Sequence, residues 1–532
     1  MKKNIRLVVA LCALALFAAS AAHEAAPPAA AQRRGLTPQE QRGKTIYLRG
    51  ESPSGKEITA EVAEVPVPAS TVTCAGCHGL RGEGKTEGGV TAGGLTWSNL
   101  LKPHTHPTGR KHGPFDEASF ARAVRAGTDP AGNELAVAMP RFRLSPEDLA
   151  DLLAYLRRIE TETDPGLTDD AVRVGVVLPT TGALTELGLA MRDVLYSYFE
   201  DLNARGGIYN RRVVLYVAAS GADAATTAAN ARRLVEQEGV FAFVGGMSAG
   251  ADKELAALAR ESETPFVGPA TLLPQTDQPL NRQVFYLLPG LTEQARALVN
   301  FAAAGPEPKK GRVVILHPEG ELAAAVAAAV EDQAQKDGLR PVLRQPYARG
   351  GFDARQLVTR IKGTAADSLF ILGTGGEEAT VLSEAAAAGW TPSVFLLGAL
   401  TGGRLTASVP PAFKDRVFVA FPTIPSDLTP GGLAEFRALQ EKYKFPPRHT
   451  ASQLAAFAAA KVFAEGLRRA GRELSREKLI TALEGLYDYE TGVTPRITFG
   501  PNRRVGVPGA NILKVDVDKK EFTPAPGPQP PR

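Results

Sequence analysis

Five consecutive residues, Cys74-Ala75-Gly76-Cys77-His78, constrain this chain more than any other feature. Two thiols three positions apart, with a histidine directly after the second, form the C-x-x-C-H pattern of a c-type haem attachment site. Each thiol can add to one vinyl group of the porphyrin, and the adjacent histidine is then held beneath the iron. A covalent tether lets a small core keep a large planar cofactor. Chance produces the pattern in roughly 2 of 10,000 chains of this length and composition. The competing reading is a thiol redox pair or half of a zinc site, but no second cysteine pair exists to complete one. The expectation is one covalently attached haem c, with Cys74 and Cys77 as attachment thiols and His78 as an axial ligand to the iron.

The start of the chain fits that chemistry. Lys2, Lys3 and Arg6 precede an apolar run from Leu7 to Ala19, and the small residues Ser20-Ala21-Ala22 follow. This order predicts a secretory signal peptide over 1–22, cleaved after Ala22, and hence export to the periplasm. A retained membrane anchor is the alternative, but the run falls short of the ~20 residues a span needs. Cys12 follows the bulky Leu11, which argues against a lipoprotein cleavage site there. The mature chain then keeps only Cys74 and Cys77, both committed to haem, with no structural disulfide. Loss of three positive charges lowers the formal net charge from +4 to +1, a balance that does not suggest nucleic acid as a partner.

A chain of 532 residues is too long for a single haem-binding core. Residues 23–35, rich in Ala and Pro, read as a flexible leader. The haem domain is expected over 36–160. Its first helix is announced by Thr37-Pro38-Gln39-Glu40, with a capping threonine, proline at N1 and glutamate at N3. Its last helix starts at Ser145-Pro146-Glu147-Asp148 and carries Leu149, Leu152, Leu153 and Leu156 on one face. Residues 161–170, acidic and containing Pro165-Gly166, read as a linker. From Ala171 the pattern changes. Apolar strands are expected at Val172–Leu178, Val213–Ala218, Val240–Val244, Val313–Leu316, Ser368–Leu372 and Val394–Leu397. Helical stretches, among them Ala190–Ala204 and Ala224–Gln237, lie between them. Strand–helix alternation predicts parallel sheets with helices on both faces, and the length of 171–522 predicts two lobes. The Pro-rich end, 523–532, is expected to be disordered.

An electron-carrying haem iron needs a second axial ligand from a loop downstream. Met139, followed by Pro140, is the candidate, lying between the turn at Gly127-Thr128-Asp129 and the last helix. A thioether is soft and neutral, favours ferrous iron and raises the potential. The alternative for Met139 is core filling. His104, His106 and His112 crowd a loop rich in Pro, Gly and Lys. They read as solvated residues, with metal binding or replacement of Met139 as alternatives.

These stretches together resemble the class I c-type cytochromes: Gly43 to Tyr47, Cys74 to Gly79, Phe120 to Gly127, Ala138-Met139-Pro140, and Ala154-Tyr155-Leu156. The resemblance implies that the first and last helices cross, with Gly43 allowing close approach and Tyr155 packing nearby. One departure stands out. No proline follows His78 at the short spacing whose carbonyl often orients the iron-bound histidine, so the acceptor for His78 goes unnamed.

The second region resembles type I periplasmic binding proteins, the branched-chain amino-acid-binding group in particular. The matching stretches are Val174 to Gly182, Leu202 to Ile208, Phe243 to Ser248 and Pro265 to Thr271. The whole chain thus reads as an all-α cytochrome c domain followed by a two-lobed α/β periplasmic-binding-protein domain with parallel sheets. The resemblance implies that Thr181, Ser248, Ala270 and Thr271 meet a small organic solute, with Ser248 and Thr271 as anion contacts. Capping of the following helices is the equal alternative for those two hydroxyls. No acid stands at Ala399-Leu400 to meet an ammonium group, and the aromatic walls are replaced by Leu187 and Gly375. An α-amino acid would therefore leave its ammonium unpaired, so a changed or lost ligand is expected. Gly373-Thr374-Gly375-Gly376 lacks the lysine of a nucleotide-binding loop.

The functional expectation is a periplasmic electron-transfer cytochrome fused to a solute-binding module of the ABC-transporter type. It implies a redox partner protein (a dehydrogenase or a membrane electron-transfer complex), a small organic solute and an ABC permease as partners. No nucleophile–base constellation and no flavin or quinone fingerprint marks an enzyme. The alternatives are an electron-accepting subunit of a dehydrogenase complex and a ligand-gated redox sensor.

Overall fold

The computed structural model describes residues 36–87, 90–106, 109–305, 311–373, 376–401 and 403–526. The expected signal peptide and leader, and residues 527–532 of the expected disordered tail, lie outside them. The chain divides into two compact units between Thr163 and Asp164.

The first unit is a small helical frame. Helix α1 (Pro38–Arg49) starts at the expected capping box, in which Glu40 N–H donates to Thr37 Oγ1 at 3.2 Å and Thr37 N–H donates to Glu40 Oε2 at 2.6 Å. Short helices α2 (Cys74–His78) and α3 (Trp97–Leu100) follow, then α4 (Glu117–Ala126) and α5 (Pro146–Leu156), the last capped by Ser145. Helices α1 and α5 cross at Gly43, where a Cβ would stand 1.9 Å from the Asp151 carbonyl oxygen and 2.8 Å from Tyr155 Cβ. Only a residue without a side chain allows that approach. The core joins Ile46 and Tyr47 to Phe120, Val124, Leu152 and Leu156.

The helical frame carries short strands that the all-α expectation lacks. β1 (Thr59–Val62) pairs antiparallel with β2 (Val65–Pro68) and with β7 (Arg141–Arg143). Two hairpins, β3 (Lys85–Glu87) with β4 (Val90–Ala92) and β5 (His104–Thr105) with β6 (Lys111–His112), complete them. They arise in stretches of two to four residues, too short to show a strand period.

The second unit begins inside the expected linker. Glu162 belongs to the first unit, holding Lys44 at 2.6 Å and accepting the Tyr155 hydroxyl at 2.8 Å. Asp164 belongs to the second, accepting the Arg476 N–H at 2.5 Å. Within 161–170 the chain is thus held to the first unit at Glu162 and to the second at Asp164.

The first lobe holds β8 (Ala171–Leu178), α6 (Thr185–Ala204), β9 (Arg212–Ala219), α7 (Ala224–Glu236), β10 (Ala242–Val244), α8 (Asp252–Glu261), β11 (Phe266–Val267) and β12 (Val284–Phe285). Its sheet runs β12-β11-β10-β8-β9, all parallel. The second lobe holds α9 (Leu291–Ala303), β13 (Arg312–Pro318), α10 (Glu321–Lys336), β14 (Arg340–Tyr347), α11 (Ala354–Lys362), β15 (Ser368–Ile371), α12 (Glu377–Ala387), β16 (Ser393–Leu397), α13 (Leu405–Ser408) and β17 (Val417–Phe421). The chain then returns through α14 (Pro430–Tyr443), α15 (Thr450–Ala470) and α16 (Arg476–Glu484) to β18 (Asn511–Asp516) and β19 (Glu521–Pro524). This sheet runs β14-β13-β15-β16-β17-β18-β19, with the last two strands antiparallel.

Alternation along the strands explains the layers. In β13, Val313 and Ile315 face a core with α9 and α10, while Val314 and Leu316 face one with α11 and α12. In β8, Val174 and Val176 pack against α6 and α15, and Val177 packs on the α7–α8 side. Thr523, placed at the head of the disordered tail by its composition, instead sits in β19 opposite Lys514. β19 is an edge strand, where proline is tolerated. Among the described residues no helix is long and apolar enough to cross a membrane.

Candidate functional site

Helix α2 is one turn long, and Thr73 caps it by accepting the Gly76 N–H at 3.2 Å. That turn brings Cys74, Cys77 and His78 to one cavity of about 350 Å³, which Met139 also lines. Both thiols are free. The rest of the wall is largely apolar, including Val72, Leu95, Leu100, Phe120, Val124, Leu152 and Leu156. The four residues singled out for haem thus converge on one space, of the size and lining that cofactor sites have.

His78 is buried, at 8% exposure. Its Nδ1 stands 2.6 Å from the Gly93 carbonyl oxygen, which assigns the proton to Nδ1. Its Nε2 is buried and has no hydrogen-bond partner among the described residues. Burial lowers the imidazole pKa, and the bond to Gly93 partly opposes it. The ring is therefore neutral, with an unshared lone pair on Nε2. An orphaned buried polar atom costs roughly 1–3 kcal/mol, and a metal bond is the partner that a lone pair in an apolar cavity fits. Burial also pushes the Cys74 thiol up to about 12. The turn after His78 is pinned by the Tyr47 hydroxyl, which donates to the Gly79 carbonyl at 2.6 Å.

The Met139 segment is held by Arg141. Its guanidinium donates to the carbonyls of Met139 and, at 3.2 Å, of Leu135. It occupies the space beside Gly127, the left-handed residue ending α4, where a Cβ would lie 1.8 Å from Arg141 Nε. The preceding turn is organised by buried Asp129, which accepts N–H bonds from Ala131 and Asn133, both at 2.9 Å. Arg110 Nε stands 3.4 Å from the same carboxylate.

His104 and His112 face each other across the β5–β6 hairpin, and both line the cavity together with His106 and Arg110. His104 is exposed, as expected of a solvated loop, and His106 and His112 are half-buried along the cavity wall. Among the described residues, no group of three or more His, Cys, Asp or Glu could hold a metal ion.

In the second unit the four residues assigned to a solute follow strand ends of the first lobe. Thr181 is exposed after β8. Ser248 is buried, and its hydroxyl donates to Asp252 Oδ1 at 2.7 Å. The Ala270 N–H donates to the Gly246 carbonyl at 2.9 Å. The Thr271 hydroxyl accepts the Leu273 N–H at 2.9 Å and also stabilises the Asp252 carboxylate. The Ser248 hydroxyl assigned to an anion is thus turned onto a carboxylate of the chain itself, which the Thr271 hydroxyl also stabilises. Gly375, the replaced aromatic wall, lies outside the described residues.

Three residues that the motifs did not point to matter here. Gly93 and Arg141 carry no motif signal, since one acts through its main chain and the other through carbonyls. Asp252 opens α8 four residues after Ser248, with a turn between them that sets no helical face.

A haem-ready cavity on a helical frame, followed by one parallel and one mainly parallel sheet wrapped by helices, defines a cytochrome-type domain joined to a two-lobed binding domain. Residues 171–521 match the family described as periplasmic binding protein, and residues 55–160 match cytochrome c. The chain belongs to the periplasmic binding protein family and carries a cytochrome c domain before that region. The Leu/Ile/Val-binding protein homolog 8 of Brucella abortus (strain 2308) is 27% identical over 354 residues, covering 63% of this chain and 85% of the relative. Homolog 7 of the same strain is 26% identical over 312 residues, covering 56% and 77%. A branched chain amino acid ABC transporter from Thermus thermophilus, solved with bound valine, shares the fold at TM-score 0.55 and 21% identity, covering 68% of this chain and 97% of that one.

Proposed function

We propose that the chain is a periplasmic monohaem c-type cytochrome fused to a module that binds a small organic solute. The observation that carries the haem reading is the buried, unpartnered Nε2 of His78 in one cavity with Cys74, Cys77 and Met139. Cys74 and Cys77 hold the porphyrin by thioethers, and His78 and Met139 hold the iron. The haem supplies a one-electron couple whose potential a thioether ligand raises. The chain's own residues do the positioning. Gly93 fixes the imidazole ring, Arg141 holds the Met139 segment, and the apolar wall excludes water.

The electron partner is a dehydrogenase or a membrane electron-transfer complex, and an ABC permease is the partner of the binding module. Export by the amino-terminal signal places both activities in the periplasm. The fold and relatives of residues 171–521 support solute binding by hinge closure of two lobes.

Mass spectrometry of the exported protein tests the haem reading. One haem added to the chain, resisting acid–acetone extraction and lost in Cys74→Ala/Cys77→Ala, is the expected result. Extractable haem, or bound zinc in its place, overturns the reading.

A further inference from the structure

Ligands of parallel α/β sheets sit at the carboxyl ends of the strands, and the helix N-termini there favour negative charge. In the first lobe this place lies at Ser248, after β10, and Thr271, after β11, with α8 starting at Asp252. Three donors there are spent inside the chain. The Ser248 hydroxyl donates to Asp252 at 2.7 Å. The Met247 N–H donates to the Val177 carbonyl at 2.8 Å, and the Ala270 N–H to the Gly246 carbonyl at 2.9 Å. The cavity beside Ser248, Asp252 and Tyr286 measures about 20 Å³, room for about one water and not for a solute carboxylate.

We propose that Asp252 is a built-in occupant of the first lobe's anion position. Its carboxylate stands where a solute carboxylate would be held, so the module selects solutes whose first-lobe end is neutral or a hydrogen-bond donor and rejects carboxylic acids. A second carboxylate brought to Ser248 would meet a like charge and find the hydroxyl already committed. Burial raises the Asp252 pKa, with the Thr271 and Ser248 bonds pulling it back, as expected for an acid held in a partly desolvated place. The inference rests on the solute-binding reading of this unit, which it narrows by chemical class.

The test uses the full haem-loaded chain and two matched probes, 3-methylbutanoate and 3-methylbutanamide, titrated calorimetrically. Asp252→Ala frees Ser248 and Thr271 and removes the charge. It is expected to tighten 3-methylbutanoate binding by about tenfold or more over the unsubstituted chain, equivalent to ~1.4 kcal/mol, with the amide little changed. Asp252→Asn is isosteric, keeps a partner for Ser248 and guards against a misfolded alanine variant. It is expected to gain less than Asp252→Ala. Two results overturn the proposal: tighter binding of the carboxylate than of the amide by the unsubstituted chain, or no gain in carboxylate binding by either variant with melting intact. Failure of the solute-binding reading itself looks different. The unsubstituted chain and both variants would then bind neither the amide nor any other solute from a broad panel, whereas both overturning results are read on a chain that binds the amide.

Discussion

The imidazole of His78 takes its orientation from the main chain of Gly93, with Nδ1 2.6 Å from the carbonyl oxygen. A backbone acceptor cannot be deleted by changing a side chain. It can only be moved with its loop, and that loop is tied by Asn99, whose Nδ2 donates to the Gly94 carbonyl at 3.0 Å. Asn99→Ala should weaken the Nδ1 bond, make the histidine a poorer donor to iron and raise the reduction potential. Gly93→Ala should leave the potential unchanged, because a Cβ there meets nothing within 4 Å and the carbonyl stays. Spectroelectrochemical titration of both variants checks the contrast.

Arg141 gives the Met139 segment its stiffness. A charge-assisted bond of this kind contributes roughly 1.5–3 kcal/mol. Arg141→Ala is therefore expected to raise ferric affinity for imidazole or azide by about 10–100-fold while keeping the native spectrum. Met139→Ala should go further, lowering the potential, opening ferrous iron to carbon monoxide and abolishing the long-wavelength thioether-to-iron band. Persistence of that band would remove Met139 as the ligand.

Gly43→Ala forces a methyl group to within 1.9 Å of the Asp151 carbonyl, which a flexible side chain cannot relieve. Overpacking against backbone costs about 1–3 kcal/mol or more. The loss should appear as a lower midpoint in guanidinium unfolding followed at the Soret band, with the second unit unaffected.

The Asp252 carboxyl titrates above its ordinary value because burial disfavours its charge, despite the Thr271 and Ser248 bonds. A carboxyl with a raised folded pKa binds more protons folded than unfolded. Native stability therefore falls as pH rises from the unfolded pKa, near 3.8, to the folded one, and stays lower above it. Asp252→Asn does not titrate. It should melt higher than the unsubstituted protein at about pH 7, and the gap should close as pH approaches 3.8. Melting curves of the second unit across that window check the sign.

The division at Thr163/Asp164 predicts that residues 36–163 hold haem with an unchanged spectrum and that residues 164–526 fold without haem. Failure of either piece to fold would show that the units depend on each other.

Features written within a few residues were readable beforehand. The capping box at Thr37–Glu40, the cap at Ser145, the leucine face of α5 and the strands β8, β9, β10, β13, β15 and β16 rest on local chemistry or on periods of 2 and 3.6 residues. The attachment turn at Cys74–His78 belongs to the same class. What escaped depends on long-range placement. Gly93 meets His78 because a loop folds back through the β3–β4 hairpin. The Ser248–Asp252 bond is a choice of rotamer that spacing permits but does not dictate. β19 forms because β18 offers it an open edge, which Pro-rich composition conceals.

The first lobe is completed by the far end of the chain. Helix α15 packs Phe457 and Phe463 against Tyr198 and Phe199, and Arg476 in α16 donates to the carbonyls of Val240, Phe241 and Ser262. A polypeptide that emerges amino end first presents β8 to β11 long before these partners exist. Most of the second lobe, α9 to β17, must appear in between, and its β18 and β19 come later still. Neither lobe is therefore finished until late in synthesis: the first waits for α15 and α16, and the second for β18, whose Ile512 and Val515 belong to its two cores. The interval leaves the apolar inner face of β8–β11 exposed, and it ends only when residues 450–484 arrive.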